Sequence, residues 1–174
     1  SDVIPVANLT EIYRQGAESL IVKNAHRINR GLMPEIDNKS RDFFFSSKPS
    51  QQEIADTVCE MVTKRLPDFA GVPTEKIQVL CAMKKGLAGV DNMNAVLQEA
   101  INPESGQGEI KIGESVFRVG DKVMHTRNNY QLQWVNEETE EADTGVSNGD
   151  IGIIEDINKS AMTVTVRFED GKTS

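Results

Sequence analysis

Three segments of the sequence place cationic side chains where they could contact phosphate groups. Arg14 lies just before a predicted helix, and an arginine there is a planar, permanently charged donor. Lys84 and Lys85 begin a glycine-containing turn that leads from a predicted strand into another helix. The third segment, residues 122–130, ends a predicted strand in hydrogen-bond donors and a tyrosine, which suits a nucleic-acid backbone and a base.

Each of these segments also has a purely structural explanation. From spacing alone, an ordinary surface arginine is the favoured reading of Arg14, and the two lysines could simply be solvated. The third segment could be a strand that passes into a polar turn. Trp134 together with Tyr130 could form a stacking platform, although anchoring the acidic segment that follows is the favoured role for the pair.

Other kinds of reactive site are not indicated. The lysine turn lacks the GxxxxGKS/T pattern of a nucleotide P-loop, and no nucleophile triad or paired carboxylate site is visible. Cys59 and Cys81 fit reduced core thiols, and two histidines that are far apart do not make a metal cluster. We therefore predict no metal site.

The first 108 residues alternate strand-like and helix-like segments. Ser50 and Glu53 form a capping box for the second helix, and Pro67 is expected to end it. The predicted elements are strands at 3–6, 42–45 and 77–83 and helices at 17–30, 51–66 and 90–101. This alternation predicts an α/β domain with a mostly parallel sheet.

A different pattern follows the Ser/Gly-rich joint at residues 105–108. Short strands are predicted at 109–112, 115–119, 122–127, 150–157 and 162–168, separated by turn signals. They favour a small SH3-like barrel at 109–174, which we expect to be cut short at its C-terminal end, after an α/β domain at 1–108. The acidic run at 137–143 is predicted to be a solvated loop.

Composition limits the classes of protein to which the chain could belong. The net charge is −8, hydrophobic residues make up 38% and mean hydropathy is −0.40. No apolar run approaches the ~18 residues of a membrane span, and no export signal is visible, so we expect a cytoplasmic protein without a membrane partner. Because the acidic run concentrates negative charge in one segment, polyanion contact elsewhere is allowed.

Several strings in a fixed order resemble one family. They are LTEIYRQ, IVKNAHRINRG, VLCAMKKGLAGVDNMNAVLQEAINP, VGDKVMHTRNNY and SNGDIG. From about residue 3 to 171 the chain resembles the C-terminal motor region of RecD-like DNA helicases, the group that includes the exodeoxyribonuclease V alpha subunit. The resemblance implies ATP-driven 5′ to 3′ translocation on single-stranded DNA by two RecA-like lobes, in DNA recombination and repair. This chain would hold part of the second lobe and the SH3-like barrel.

The resemblance also implies roles for particular residues. Arg14 would reach the γ-phosphate of ATP and stabilise charge during its transfer to water, and Gln15 would support its position. The residues expected to lie toward the DNA are Lys84, Lys85, Thr126, Arg127, Asn128, Asn148 and Asp150. Among these, the NGD turn at 148–150 is expected to be architectural first and DNA-contacting second.

The same resemblance predicts what this chain lacks. The phosphate-binding loop and the acidic pair that holds Mg²⁺ belong to the family's first lobe, so we expect the parent to bind ATP and Mg²⁺ and this chain alone to bind neither and to be inactive. The expected partners are single-stranded DNA, the missing first lobe and other subunits of a helicase–nuclease complex. The alternative hypothesis is a non-catalytic module whose barrel docks DNA, RNA or a protein.

Overall fold

A computed structural model describes residues 19–106, 108–136, 139–169 and 171–174 of the chain. The chain forms two compact units, residues 1–49 and 50–174. The strand predicted at residues 3–6 lies outside the described residues. Within them, no helix combines the length and the apolar character needed to cross a membrane.

Among the described residues of the first unit, Leu20–Asn29 form a helix, α1. The hydroxyl of Ser19 donates a 2.5 Å hydrogen bond to Asp42, which lowers the pKa of that carboxyl group. Asn24, only 1% exposed, bonds both the amide and the carbonyl of Glu35, at 2.7 and 3.0 Å. These side chains pin the irregular segment that follows against α1, since a buried amide is stable only when its donors and acceptors are paired.

The second unit begins with helices. They are α2 (Gln51–Glu60), a π-helical turn (Met61–Arg65), α3 (Leu66–Ala70), a 3₁₀ turn (Thr74–Lys76) and α4 (Val90–Ile101). The predicted capping box is confirmed, because Ser50 Oγ accepts a hydrogen bond of 3.2 Å from the amide of Glu53. Pro67 does not end the helix as predicted. It lies near the start of α3, directly after the π-helical turn, and the helical run continues without a break to Ala70.

The strands predicted at 42–45 and 77–83 do not form in this structure. Both segments lack regular secondary structure, and every strand pair among the described residues is antiparallel, so the predicted parallel sheet is absent there. Along 77–83 exposure still alternates, with Ile77 and Val79 partly buried and Leu80 90% exposed. The pattern has the period of a strand, but a strand forms only beside a hydrogen-bonding neighbour, which the described residues do not supply.

The rest of the second unit is a small antiparallel β domain. Its strands are β1 (Glu109–Ile112), β2 (Ser115–Arg118), β3 (Lys122–Met124), β4 (Asn129–Asn136), β5 (Ala142–Val146), β6 (Ile151–Asn158), β7 (Thr163–Phe168) and β8 (Lys172–Thr173). β1 and β2 form a hairpin, and the other six form a sheet in the order β3-β6-β7-β8-β4-β5. Val146, Ile154 and Phe168 are buried in its core. This domain fits the predicted SH3-like architecture.

Two strands of the β domain, β4 and β5, are absent from the predicted elements, and they pair as a hairpin. Of the acidic run, Asp143 lies on β5, whereas the described residues Glu140 and Glu141 are exposed and outside any strand, as predicted for a solvated loop. The signal was present in the sequence: Tyr130, Leu132 and Trp134 alternate with glutamines, which is the period of a strand with one covered face. The charged residues concealed that pattern.

Gly152, two residues after the SNGD turn, lies where β6 and β7 pack closely together. It is buried and pairs with Phe168 of β7. A Cβ atom there would lie 2.5 Å from Val166 Cγ1 and 2.7 Å from the carbonyl oxygen of Arg167, closer than such atoms can approach. The glycine therefore allows β6 and β7 to pack at their observed spacing.

Asp121 joins α4 to the β domain. Its carboxylate belongs to a residue that is only 8% exposed, and it accepts three hydrogen bonds. Gln98 of α4 and Asn102, which caps the C-terminus of α4, donate from their side chains at 2.5 and 2.8 Å, and the backbone amide of Arg118 donates at 2.7 Å. The carboxylate thus holds the C-terminal half of α4 and the turn between β2 and β3 in one arrangement.

Two lysines connect residues 76 and 77 to the β domain. Lys122 donates a 3.0 Å hydrogen bond to the carbonyl of Ile77, and burial lowers the pKa of its ammonium group. Lys76 pairs with Glu169 at 3.0 Å. Helices and β domain therefore belong to one compact unit from residue 50, and the domain boundary predicted at 108 stays a prediction.

Replacing Asp121 by alanine should destabilise this unit. The substitution removes one hydrogen-bond acceptor from each of the amides of Gln98, Asn102 and Arg118, so we expect the free energy of unfolding to fall by about 2–4 kcal/mol in urea titrations. Glu114→Ala removes a carboxylate from an exposed turn and serves as the control, with an expected change below about 0.5 kcal/mol. Equal midpoints for the two variants would refute the assigned role of Asp121.

Candidate nucleic-acid interface

The loop at 125–130 and the turn at 147–150 are held together by hydrogen bonds. The backbone amide of Asn148 donates to Asn128 Oδ1 at 2.7 Å. The backbone of His125 accepts from the amide of Gly149 and donates to the carbonyl of Asp150, both at 2.8 Å. Two segments that are about 20 residues apart in sequence thereby form one surface at the end of β3.

This surface contains five of the predicted DNA-contacting residues. They are Thr126, Arg127, Asn128, Asn148 and Asp150. The structure brings the five together, while their role in DNA binding stays a prediction.

Two of these five residues build the surface. The Asp150 carboxylate accepts a 2.8 Å hydrogen bond from the amide of Ser147 and so closes the turn. Asn128 uses both ends of its side chain, since Nδ2 also donates to the hydroxyl of Tyr130 at 3.0 Å. These groups are committed within the protein, which agrees with an architectural role for the NGD turn.

The side chains of Thr126 and Arg127 remain available at this surface. Both residues are exposed, and no ion pair is found for Arg127 within the described part of the chain. A guanidinium group beside a hydroxyl, on a loop whose backbone is fixed from both sides, can bind a phosphate diester with little loss of conformational freedom.

Lys84 and Lys85 belong to a separate, tightly closed turn before α4. The amides of Gly89, Val90 and Asp91 donate to carbonyls of residues 86, 83 and 84, at 3.0 to 3.1 Å. Those amides are therefore not available to bind a phosphate group, and only the exposed lysine side chains could do so. Among the residues described, no hydrogen bond or ion pair joins this turn to the loop at 125–130.

Sequence reasoning missed the residue that fixes the lysine turn. Gln51 of α2 accepts a 3.0 Å hydrogen bond from the amide of Leu87, 36 residues further along the chain. No local pattern in the sequence signals this contact, because it depends on the packing of α2 beside α4. Arg14 and Gln15, the candidates for a nucleotide site, lie outside the described residues.

The acidic end of the β4–β5 hairpin is well separated from the candidate interface. Glu140, Glu141 and Asp143 are exposed near its tip, whereas Asn129 begins β4 beside the loop. The strand from 129 to 136 is roughly 24 Å long at the usual rise per residue. Because charges in physiological salt are screened over about 8 Å, the acidic tip exerts little repulsion on a polyanion at the loop.

Two comparisons with known proteins identify the family to which the chain is similar. Residues 93–168 match the family model described as the ATP-dependent RecD-like DNA helicase SH3 domain. The chain is also 30% identical over 166 residues to the ATP-dependent RecD2 DNA helicase of Deinococcus radiodurans. That match covers 95% of this chain and 20% of the length of the relative. The chain therefore belongs to the RecD-like DNA helicase family.

Proposed function

We propose that this chain is part of the second motor lobe of an ATP-dependent DNA helicase and grips single-stranded DNA with the surface at 125–130 and 147–150. The observation that carries the proposal is the 2.7 Å hydrogen bond from the amide of Asn148 to Asn128. This hydrogen bond joins two segments that are distant in sequence into one surface, on which Arg127 is exposed. That the ligand is single-stranded DNA is inferred from the family, the RecD-like DNA helicases.

The grip would depend on the DNA backbone and not on base sequence. Arg127 binds a phosphate group through charge-assisted hydrogen bonds, and Thr126 adds a hydroxyl donor. Lys84 and Lys85 provide a second cationic position ahead of α4. A motor that moves along DNA requires contacts of this kind, because backbone contacts are the same at every step.

The motor part of the proposal concerns the parent protein. We infer a RecA-like lobe in which further strands flank residues 77–83, and the 90% exposure of Leu80 supports this, since neighbouring strands and helices would cover it. The parent would translocate 5′ to 3′, act in recombination or repair, and bind ATP and Mg²⁺ between this lobe and the first one. Other subunits of a helicase–nuclease complex are further proposed partners.

The described residues do not themselves supply a metal site. No group of three or more His, Cys, Asp or Glu side chains within them could hold a metal ion. On the resemblance to the family, the proposal assigns Mg²⁺ and most nucleotide contacts to the first lobe. From this chain it assigns Arg14 to the γ-phosphate of ATP and Gln15 to its support.

Replacing Arg127 by alanine should weaken single-stranded DNA binding mainly at low salt. We expect roughly tenfold weaker binding of an oligo(dT) to the 174-residue chain at about 50 mM salt, because one charge-assisted phosphate contact is lost. The slope of log K against log salt should fall by about 0.7. Fluorescence anisotropy at several salt concentrations measures both quantities.

Lys159→Ala is the matched control for Arg127→Ala. It removes one exposed positive charge from the β6–β7 turn, at the far end of β6 from the candidate interface. Its slope should stay close to that of the unmodified chain. The proposed grip is refuted if the two variants lower the slope equally, because the effect would then be one of net charge.

Arg14→Ala in the full-length parent should separate the motor from the alternative of a non-catalytic module. A transition-state arginine is worth about 10³-fold or more in turnover, so DNA-stimulated ATP hydrolysis should fall by that factor while ATP binding persists. Arg30→Ala removes an exposed arginine at the end of α1 and is the control. Near-normal turnover in Arg14→Ala would contradict the arginine's role.

A further inference from the structure

Tyr130 is an exposed aromatic side chain whose position is fixed. The residue is 73% exposed, yet its hydroxyl accepts a 3.0 Å hydrogen bond from Asn128 Nδ2. Asn128 is itself fixed by the amide of Asn148. An exposed tyrosine normally samples several rotamers, so this chain of hydrogen bonds reduces the entropy that its ring would lose on binding a ligand.

An irregularity in the β4–β5 pairing places Tyr130 at this position. Asn129 pairs with Val146 and Gln133 with Thr144, so four steps along β4 (129 to 133) face two steps along β5 (146 to 144). The extra residues form a bulge that begins at Tyr130. Bulges commonly re-aim a side chain that regular pairing would place elsewhere.

Gly145 and Trp134 support the bulge from the opposite side. Gly145 lies opposite the extra residues with a φ of +106°, a conformation that side chains rarely adopt. Its carbonyl accepts a 3.1 Å hydrogen bond from the indole of Trp134. Trp134 is half-buried and anchors the hairpin, whereas Tyr130, on the same loop as Arg127, faces solvent.

We infer that Tyr130 stacks on an unpaired base and makes this surface select single-stranded over double-stranded DNA. The inference rests on the proposed DNA grip at the same loop. Phosphate contacts by Arg127 are available to either form of DNA, because both expose their backbones. A protein ring can stack on a base only when that base is not enclosed between its neighbours in a duplex. The tyrosine thus supplies a distinction that the arginine cannot make.

The test combines two substitutions with three ligands. Tyr130→Ala removes the ring, while Tyr130→Phe keeps the ring and loses the hydrogen bond from Asn128. Each chain is titrated with an oligo(dT), with an abasic oligonucleotide that has the same number of phosphates, and with a duplex of equal length. Circular dichroism and the urea midpoint check that the variants fold.

The inference predicts that Tyr130→Ala binds oligo(dT) about tenfold more weakly and Tyr130→Phe within about threefold of the unmodified chain. Neither substitution should alter binding of the abasic strand, of the duplex, or the salt slope. If Tyr130→Ala fails to fold, the unmodified chain still tests stacking, because it should bind the abasic strand about tenfold more weakly than oligo(dT).

Two contrary results have different meanings. Equal affinity of the unmodified chain for oligo(dT) and the abasic strand, or an unchanged affinity in Tyr130→Ala, overturns the stacking role and leaves the phosphate grip intact. Failure of the unmodified chain to bind oligo(dT) at low salt overturns the proposed grip and the stacking role together.

Discussion

The buried carboxylate of Asp121 is the contact that makes the helices and the β domain of the second unit act as one piece. A charged group with little exposure is tolerated only if its lone pairs are satisfied, and here the side-chain amides of Gln98 and Asn102 and the backbone amide of Arg118 at the end of β2 donate to it. Because Asp121 directly precedes β3, the same contact sets the start of the strand that leads into the loop at 125–130. The candidate interface therefore has a rigid base.

Rigidity of this kind suits a part that transmits movement. If the helices of this unit move, a fixed joint passes that displacement to the loop at 125–130, the proposed DNA contact. A flexible connection after α4 would absorb it. At the other end of β3, the hydrogen bond from the Asn148 amide to Asn128 fixes the backbone of the loop that carries Arg127.

The distribution of charge resolves an apparent conflict. A net charge of −8 argues against a DNA-binding protein when it is treated as a single number. The fold places the acidic run near the tip of the β4–β5 hairpin and the exposed Arg127 near its base. Over that distance screening by salt removes most of the repulsion.

Local sequence signals predicted the local features well. The capping box at Ser50, helix α4 and the strand β1 follow from residue spacing, and so does the SH3-like character of the β domain. What the sequence could not show depends on distant partners. Residues 77–83 have a strand-like pattern but no neighbour among the described residues, and the pairs Gln98–Asp121 and Asn128–Asn148 join positions about 20 residues apart.

Some errors came from weighing one signal over another. The strands β4 and β5 are missing from the predicted elements, although Tyr130, Leu132 and Trp134 alternate with glutamines as in a strand, because the adjoining acidic run favours a loop. Pro67 was expected to end a helix, whereas the helical run continues past it to Ala70. In both cases the sequence carries signals for two different local structures, and packing in the folded chain decides which of the two forms.

Amide hydrogen exchange with and without a single-stranded oligo(dT) tests most directly whether DNA lies where this account places it. Binding should slow exchange in residues 125–130 and 147–150 and leave the hairpin tip around 139–141 unchanged. Protection at the acidic tip, or none at the two joined segments despite saturating DNA, would contradict the account.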